Sequence, residues 1–249
     1  MATIAYNVDC MDYMRSLPDK AFDLAVVDPP YGLKITGSTH THTQARVGSS
    51  KPFGSKGDRV RGMEARIICT KFYPVFDDDS PPDAEYFREL ERVAKRRIIW
   101  GGKFFLEHLG PASCMIVWDK ERRGLVQADC EIAWTDLPGQ NRVFRFKWNG
   151  MLQENMKNKE IRIHATQKPV ALYAWLYSRY AKPGDRILDT HLGSGSSRIA
   201  AYDAALEFVG TEISKEIFDL QEERFEAHAA QENLFLQAEL PLDSFVRTY

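Results

Sequence analysis

Short apolar runs alternate along the chain with segments whose apolar residues recur at helical spacing. The runs predict strands at 22–27, 98–100, 114–118, 130–134, 186–189 and 208–212. The helical spacing predicts helices that start after Pro81, at Pro169 and at Arg198. Because strands that alternate with helices form parallel sheets covered on both faces, the pattern predicts an α/β fold.

Residues 33–60 break this pattern, since they are rich in Gly, Ser, Thr, His and Lys and carry no sustained period. Connections of that length in a compact domain are usually functional or disordered. We therefore predict a mobile insertion that begins at residue 33. Its basic residues continue to residue 75, so we assign the basic mobile insertion to residues 33–75. The chain length suits one large domain over residues 1–249.

Composition agrees with a folded globular domain. Hydrophobic residues make up 44% and charged residues 27%, which excludes a disordered tail, a collagen-like repeat and a small disulfide scaffold. No run of about 18 apolar residues is present, so we predict no membrane span, and the N-terminus lacks a signal-peptide pattern. Four scattered cysteines without a C-x-x-C pair predict reduced cytoplasmic thiols: Cys10, Cys69, Cys114 and Cys130.

The net charge of −2 conceals two basic islands and an acidic C-terminal part. Residues 33–75 contain eight Lys or Arg against two Asp or Glu, and residues 140–162 contain six against two. Residues 203–249 contain three against eleven. Two basic islands predict a protein that binds a polyanion. The alternative is that both islands are solvated loops of chance composition.

A glycine-containing loop between a strand and a helix is the first candidate site. Gly193 and Gly195 lie where the backbone can approach a ligand closely. Arg198 occupies the place of the third glycine in the dinucleotide fingerprint. Asp189 and Glu212 end two strands and suit the amino acid part and the ribose of S-adenosylmethionine, which favours this cofactor over NAD. A purely structural glycine turn is the alternative.

The second candidate site is Asp28-Pro29-Pro30-Tyr31, which follows an apolar strand at the edge where open α/β sheets bind ligands. The amino nitrogen of adenine or cytosine is a poor nucleophile because its lone pair is delocalised into the ring. A carboxylate from Asp28 and a carbonyl from Pro29 can accept from the amino hydrogens and aim the lone pair at a methyl donor. Tyr31 can stack on a base that has left the duplex. An ordinary proline-rich turn is the competing interpretation.

Five ordered segments together resemble the amino-group DNA methyltransferases of the beta group, in which the catalytic motif precedes the cofactor motif. Residues 28–31 are similar to the catalytic motif, and residues 189–196 to the cofactor loop. Residues 166–169 resemble the segment that closes over the methionine end of the cofactor. Residues 210–213 resemble the ribose-binding strand end, and residues 7–10 the segment whose acid approaches the adenine of the cofactor.

Two further segments, 98–102 and 117–120, match the strands that shape the target-base pocket in this family. The sequence departs from the family pattern in two places. Thr190 and His191 stand where the cofactor loop usually has Pro-Phe, and Asn7 replaces a common Gly.

The resemblance implies a Rossmann-like, mostly parallel twisted sheet with irregular DNA-binding insertions and a small target-recognition region at 135–163. It implies methyl transfer from S-adenosylmethionine to N6 of a flipped adenine in duplex DNA, because the motif begins with Asp rather than with the Ser that is more common for cytosine. The alternatives are N4-cytosine methylation, RNA N6-adenine methylation and a non-catalytic DNA-binding module on the same fold. A nicotinamide oxidoreductase is a more distant one.

The family pattern and the basic islands give three groups of site residues. The predicted catalytic residues are Asp28, Pro29, Pro30 and Tyr31. The predicted cofactor-binding residues are Asp9, Cys10, Asp28, Thr166, Gln167, Lys168, Asp189, His191, Gly193, Ser194, Gly195, Ser196, Glu212 and Ile213. The predicted DNA-binding residues are Lys51, Lys56, Arg59, Arg61, Arg142, Arg145 and Lys147. We predict no metal site, since His40 and His42 lack a third ligand at suitable spacing.

Double-stranded DNA is the predicted partner, in a cytoplasmic, nucleoid-associated enzyme of a prokaryote or a phage-infected cell. The resemblance makes a homodimer and a cognate restriction endonuclease further candidate partners. We expect Trp100 and Trp118 to be core aromatics and His164 to be structural. The helix over 215–231 is expected to present a solvated acidic face.

Overall fold

The computed structural model describes residues 2–33, 80–122, 128–149 and 152–238. The strands in these ranges are β1 (Thr3–Tyr6), β2 (Leu24–Val27), β3 (Arg97–Trp100), β4 (Cys114–Asp119), β5 (Cys130–Thr135), β6 (Arg142–Arg145), β7 (Trp148–Asn149), β8 (Leu152–Gln153), β9 (Arg186–Asp189) and β10 (Glu207–Thr211). The helices are α1 (Cys10–Arg15), α2 (Ala84–Val93), α3 (Leu106–Leu109), α4 (Val170–Tyr180), α5 (Ser196–Asp203) and α6 (Lys215–Ala238), with a 3-10 turn at Gly102–Phe104.

Eight of these strands form one sheet in the order β1-β10-β9-β2-β3-β5-β4-β6. The first five run parallel, β5 is antiparallel to both of its neighbours, and β6 is parallel to β4. The α/β fold with a mostly parallel sheet is thereby confirmed. The carboxyl ends of the five parallel strands meet at one edge, where such sheets bind ligands.

Helices cover both faces of the sheet, as the alternation along β2 demonstrates. Leu24 and Val26 belong to the core that includes α4 and α5. Ala25 and Val27 belong to the core that includes α1 and α2. Successive strand side chains point to opposite faces, so a fully apolar four-residue strand can serve two cores at once.

The expected core aromatics are confirmed, because Trp100 and Trp118 are 0% and 1% exposed. The helix start after the double proline is also confirmed. Asp83 caps α2, and its carboxylate accepts from the backbone N–H groups of Glu85 and Tyr86 at 2.9 and 3.1 Å. Such a cap satisfies two of the N–H groups that the first turn leaves without helical partners.

Helix α6 differs from the expected solvated acidic face, because one side of it is buried. Ile217 and Gln221 are buried, and Glu222 forms an ion pair of 2.7 Å with the buried guanidinium of Arg198. Arg198 stands at the place of the third fingerprint glycine, and its ion pair with Glu222 attaches α6 to α5. Within the described part of the chain, no helix is both long and apolar enough to cross a membrane.

Candidate active site

A cavity of about 880 Å³ opens at the edge where the parallel strands end. All four predicted catalytic residues line it, and so do most of the predicted cofactor-binding residues. These are Asp9, Cys10, Asp28, Thr166, Gln167, Lys168, His191, Gly193, Ser194, Glu212 and Ile213. Three others, Asp189, Gly195 and Ser196, are not among the lining residues. The topology thus brings together segments that are far apart in sequence, as the bond between Asn7 and Ile213 shows, since these residues are 206 positions apart.

Asp28 directly follows β2 and has a partner on each of its carboxylate oxygens. Its Oδ1 accepts a hydrogen bond of 2.5 Å from the hydroxyl of Tyr31. Its Oδ2 is bonded to the ammonium of Lys168, whose side chain is only 4% exposed. The carboxylate expected to orient the target amino group is therefore already engaged by two donors of this chain.

The ring of Tyr31 packs in an aromatic corner at the end of β3. It stacks on Phe104, with centroids 5.1 Å apart and planes 25° apart, and meets the edge of Phe105 at 6.1 Å. Gly101 lies beneath the ring with a φ of +68°, and a Cβ there would come within 2.2 Å of it. A side chain at position 101 would displace Tyr31, so this glycine is required for the packing.

Two residues that the sequence reasoning did not single out extend the charged part of the site. Glu131 of β5 forms ion pairs with Lys168 at 3.1 Å and with Lys120, which follows β4. Burial raises the pKa of Glu131, but the two ammonium groups outweigh it and lower the pKa to about 2. A glutamate inside an otherwise apolar strand is the sequence signal that could have identified this residue.

Glu212, at the end of β10, holds the turn of the glycine loop. Its Oε2 accepts from the backbone N–H of Gly193 and its Oε1 from that of Ser214, both at 2.9 Å. Burial raises the pKa of Glu212, and these N–H groups oppose the rise. Asn7 donates to the backbone carbonyls of Glu212 and Ile213 at 2.8 and 3.1 Å, so the residue that replaces a family glycine fastens β1 to the end of β10.

Asp189, at the end of β9, lies behind the glycine loop. Its carboxylate accepts from the hydroxyl of Ser197 at 2.5 Å and from the backbone N–H of His191 at 3.1 Å. Burial raises the pKa of Asp189 to about 7, against the effect of these two bonds. The structure thus gives Asp189 a demonstrable part in holding the loop, and its predicted contact with the cofactor stays a prediction.

His191, one of the two departures from the family loop, is a neutral ring in this structure. Burial lowers its pKa to about 4. Its Nδ1 lies 3.0 Å from the hydroxyl of Thr190, which in turn lies 2.7 Å from the hydroxyl of Tyr86. The ring also meets the edge of Tyr86 at 5.4 Å. A flat, uncharged imidazole therefore occupies the position of the family's phenylalanine.

Two other ionisable groups in the cavity wall are held in their neutral forms. Burial and the neighbouring Asp9 raise the pKa of the Cys10 thiol to about 12. Burial, Lys168 and Arg162 lower the pKa of His164 to about 4. A protonated thiol is a weak nucleophile, so the geometry does not favour covalent catalysis by Cys10. For His164, a neutral ring whose Nδ1 lies 3.1 Å from the hydroxyl of Thr166 agrees with the expected structural role.

Gln167 fixes the segment that carries Lys168. Its side chain accepts from the N–H of Ile163 at 2.9 Å and donates to the carbonyl of Ile161 at 3.2 Å. Its backbone carbonyl accepts from the indole N–H of Trp148 at 2.9 Å. These bonds attach the closing segment to β7, so Gln167 is buried structure as well as cavity wall.

Arg224 of α6 joins the glycine loop to the start of α4 and was not predicted. Its guanidinium donates to the carbonyl of Ser194 at 2.7 Å and to the hydroxyl of Ser196 at 3.0 Å. It also pairs with Glu160 at 2.9 Å, and Glu160 accepts from the N–H of Val170 at 3.0 Å. The loop is therefore anchored from outside the cavity by a half-buried ion pair.

The described part of the second basic island carries exposed cations at the edge of the sheet. Arg142, Arg145 and Lys147 are all exposed, but strand alternation places Arg142 on the opposite side of β6 from the other two. These three cations therefore do not form one basic face, because Arg142 shares its side of the strand with Phe144. The remaining predicted DNA-binding residues lie outside the described ranges: Lys51, Lys56, Arg59 and Arg61.

The donor set of the cavity fits S-adenosylmethionine. Carboxylates of Asp9 and Glu212 line it, which suits a ligand that carries hydroxyl and amino groups. The backbone of Gly193 has a φ of +53°, in the region that favours glycine, and it turns the loop beside these acids. Among the described residues, no group of three or more His, Cys, Asp or Glu side chains is arranged to hold a metal ion.

Two solved structures share this fold. The M1.HpyAVI–SAM complex superposes with a TM-score of 0.52 and 18% identity, over 90% of this chain and 100% of that one. The PvuII DNA methyltransferase (cytosine-N4-specific) superposes with a TM-score of 0.57 and 11% identity, over 96% of this chain and 94% of that one. At these identities the likeness establishes the fold of the chain.

Sequence comparison establishes the family. The family model described as DNA methylase matches residues 99–223. The Type II methyltransferase M2.DpnII of Streptococcus pneumoniae is 34% identical over 245 residues, which cover 90% of this chain and 90% of that protein. The chain therefore belongs to the amino-group DNA methyltransferases, which use S-adenosylmethionine as the methyl donor.

Proposed function

We propose that this DNA methyltransferase transfers a methyl group to N6 of an adenine that has been flipped out of duplex DNA. The observation that carries the proposal is the position of Asp28 and Tyr31 in the same cavity as the glycine loop and Glu212. A base-orienting carboxylate and a base-stacking ring thus face a cofactor site. Asp28 as the first residue of the motif favours adenine over cytosine.

Four residues or loops would hold the cofactor in this proposal. Glu212 would accept from the ribose hydroxyls, and Asp9 would accept from the adenine amino group. The Gly193 loop would lie against the amino acid part, and Asp189 behind it would balance the ammonium. When bound, S-adenosylmethionine supplies an electrophilic methyl carbon that the amino nitrogen takes in a single displacement.

Asp28 and Pro29 would prepare the amino group for that displacement. Both residues follow β2. In this scheme the carboxylate of Asp28 and the carbonyl of Pro29 would each hold one amino hydrogen while the nitrogen lone pair points out of the ring plane. The lone pair would form the new N–C bond as the methyl–sulfur bond breaks, with the electron pair of that bond left on the sulfur of S-adenosylhomocysteine, and the nitrogen would then lose its surplus proton to water. No general base or covalent enzyme intermediate is required before the transfer. This agrees with the protonated thiol of Cys10 and with the lowered pKa of His164, because a ring with a pKa of about 4 is a weak base.

The cations of the two basic islands would bind the phosphates of the duplex. Arg145 and Lys147 lie on one side of the sheet edge, and both are exposed. Their strand, β6, pairs with β4, the strand that Lys120 follows. Phosphate contacts position a protein on DNA, while base contacts provide sequence specificity. We assign specificity to the region 135–163 and phosphate neutralisation mainly to the region 33–75.

The competing products are N4-methylcytosine in DNA and N6-methyladenine in RNA. Long-read sequencing of DNA from a methylation-free host that expresses the protein distinguishes these outcomes and gives the sequence context. We expect methylated adenine at one recurrent motif, and its loss with Asp28→Ala. Methylated cytosine instead would reject adenine specificity, and unmodified DNA would favour RNA methylation or a non-catalytic DNA-binding module.

The same motif would also indicate the biological setting. A methylated palindrome would agree with a homodimer or with a cognate restriction endonuclease, both of which stay predictions. Size measurement of the purified protein, with and without duplex DNA, tests the dimer directly.

A further inference from the structure

Lys168 lies between two carboxylates at the centre of the cavity wall. Its ammonium is bonded to Oδ2 of Asp28 and lies 3.1 Å from Oε2 of Glu131. Glu131 is held from its other side, because Oε1 pairs with Lys120. The four groups form an alternating row of two anions and two cations, with no net charge.

This row is largely buried, since the side chains of Lys168, Lys120, Asp28 and Glu131 are 4%, 12%, 18% and 25% exposed. The Lys168 ammonium lies 5.6 Å from the ring centroid of Trp100, and the Lys120 ammonium lies 4.8 Å from that of Trp118. Both tryptophans are buried in the sheet. In a poorly hydrated setting, the charge of an ammonium acts strongly on its neighbours.

An ammonium fixed on Asp28 opposes the proposed reaction in two ways. It occupies an acceptor site of the carboxylate that the target amino group needs. It also places a positive charge beside a nitrogen that becomes positive as the new N–C bond forms. A second carboxylate that attracts the same ammonium would relieve both effects.

We propose that Glu131 is a positioning residue that draws the Lys168 ammonium away from Asp28 when the target amino group binds there. The distances carry the inference, because one ammonium already contacts both carboxylates and needs only a small movement to exchange them. The inference rests on the proposed function of Asp28. Glu131 itself touches no reacting atom in this scheme and acts only through Lys168.

A purely structural ion pair is the competing explanation. Buried pairs often add little to stability, because the loss of hydration offsets the attraction between the charges. Removal of one member nevertheless leaves a buried charge without its partner, so a single substitution does not separate the two explanations. A double-mutant cycle does, because it measures whether the two residues act through each other.

The experiment measures single-turnover methyl transfer to duplex DNA, at saturating cofactor, for the wild type, Glu131→Gln, Lys168→Met and the double variant. We expect Glu131→Gln to slow transfer about tenfold or more when Lys168 is present. We expect it to change the rate by less than about twofold in the Lys168→Met background. Equal slowing in both backgrounds would overturn the proposal, since Glu131 would then act independently of Lys168.

One further variant keeps the test decisive if Glu131→Gln folds poorly. Glu131→Asp retains the charge and should recover most of the rate. Failure of Glu131→Asp to recover the rate, at unchanged thermal stability, would contradict the proposal. A wild type without any methyl transfer would reject the proposed function itself, and this inference with it.

Discussion

The hydroxyl of Tyr31 donates a hydrogen bond of 2.5 Å to Oδ1 of Asp28. The residue proposed to stack on the base is thus bonded to the residue proposed to hold its amino group. Burial and the nearby carboxylates of Asp28 and Glu131 raise the pKa of Tyr31 well above its usual value, so the hydroxyl remains a donor. An incoming amino group has to compete with this hydroxyl for Asp28.

Substitutions at Tyr31 should separate the ring from the hydroxyl. Tyr31→Phe removes the competing donor and keeps the ring, so we expect a methyl-transfer rate within a few-fold of the wild type. Tyr31→Ala removes a stacking surface worth about 1–3 kcal/mol per base, which predicts about 5- to 150-fold weaker productive DNA binding. Steady-state kinetics with varied DNA concentration checks both. A loss in Tyr31→Phe as large as in Tyr31→Ala would contradict the stacking role.

Substitution of Glu212 should weaken the cofactor complex. In Glu212→Ala, the N–H groups of Gly193 and Ser214 lose their acceptor and the proposed ribose contact disappears. We expect at least about tenfold weaker S-adenosylmethionine binding by calorimetric titration, since bonds to charged groups contribute about 1.5–3 kcal/mol. Arg145→Ala, at an exposed position of β6, is the control and should bind the cofactor normally. Unchanged affinity in Glu212→Ala would refute the ribose contact.

The titration of Asp189 should appear in the pH dependence of stability. Its pKa is raised from 3.8 to about 7 by burial, so the folded protein retains a proton that the unfolded chain has released. The free energy of unfolding contributed by this group therefore falls as the pH rises from about 4 to about 7. His191 and His164, with pKa values lowered to about 4, act in the opposite direction below pH 6.5.

A comparison with Asp189→Asn isolates the carboxyl from the two histidines. Urea unfolding at several pH values should show the wild type losing stability relative to the variant between about pH 4 and pH 7, and a constant difference above that range. Curves that stay parallel across the whole range would contradict the raised pKa.

The two basic islands should contribute differently to DNA binding. The double variant Lys51→Ala/Lys56→Ala should weaken binding to all sequences. It should also reduce the slope of log affinity against log salt concentration by the amount that corresponds to about two phosphate contacts. Lys95→Ala/Lys215→Ala, at exposed positions outside both islands, is the matched control. Exchange of residues 140–150 for those of a relative should instead change the methylated motif. An equal loss on every sequence from both changes would reject this assignment.

Much of the site was predictable because its acids follow apolar strands. Asp28, Asp189 and Glu212 each come at the end of such a run, and the ends of parallel strands meet at one edge. The cavity lining by Asp28 and Glu212 therefore followed from local pattern and fold class. Asp189 also follows such a strand but is not among the cavity-lining residues. The local sequence pattern does not show whether a loop will cover a side chain.

The cluster around Lys168 was not predictable in the same way. Glu131 and Lys120 meet because β4 and β5 pair antiparallel, with Trp118 opposite Glu131. Such a register is set by tertiary packing rather than by the period of either strand. The sequence pattern also did not identify the short edge strand β1. Its larger apolar residues, Ile4 and Tyr6, are 40% and 41% exposed, while Thr3 and Ala5 are the half-buried ones.

The central claim is that Asp28 directs methyl transfer to the amino group of adenine in DNA. The most direct measurement incubates the purified protein with unmethylated duplex DNA and S-adenosylmethionine and analyses the nucleosides by mass spectrometry. We predict N6-methyladenine with the wild type, and a decrease of about 100-fold or more with Asp28→Ala at unchanged cofactor affinity. N4-methylcytosine as the product, or undiminished N6-methyladenine from Asp28→Ala, would contradict the claim.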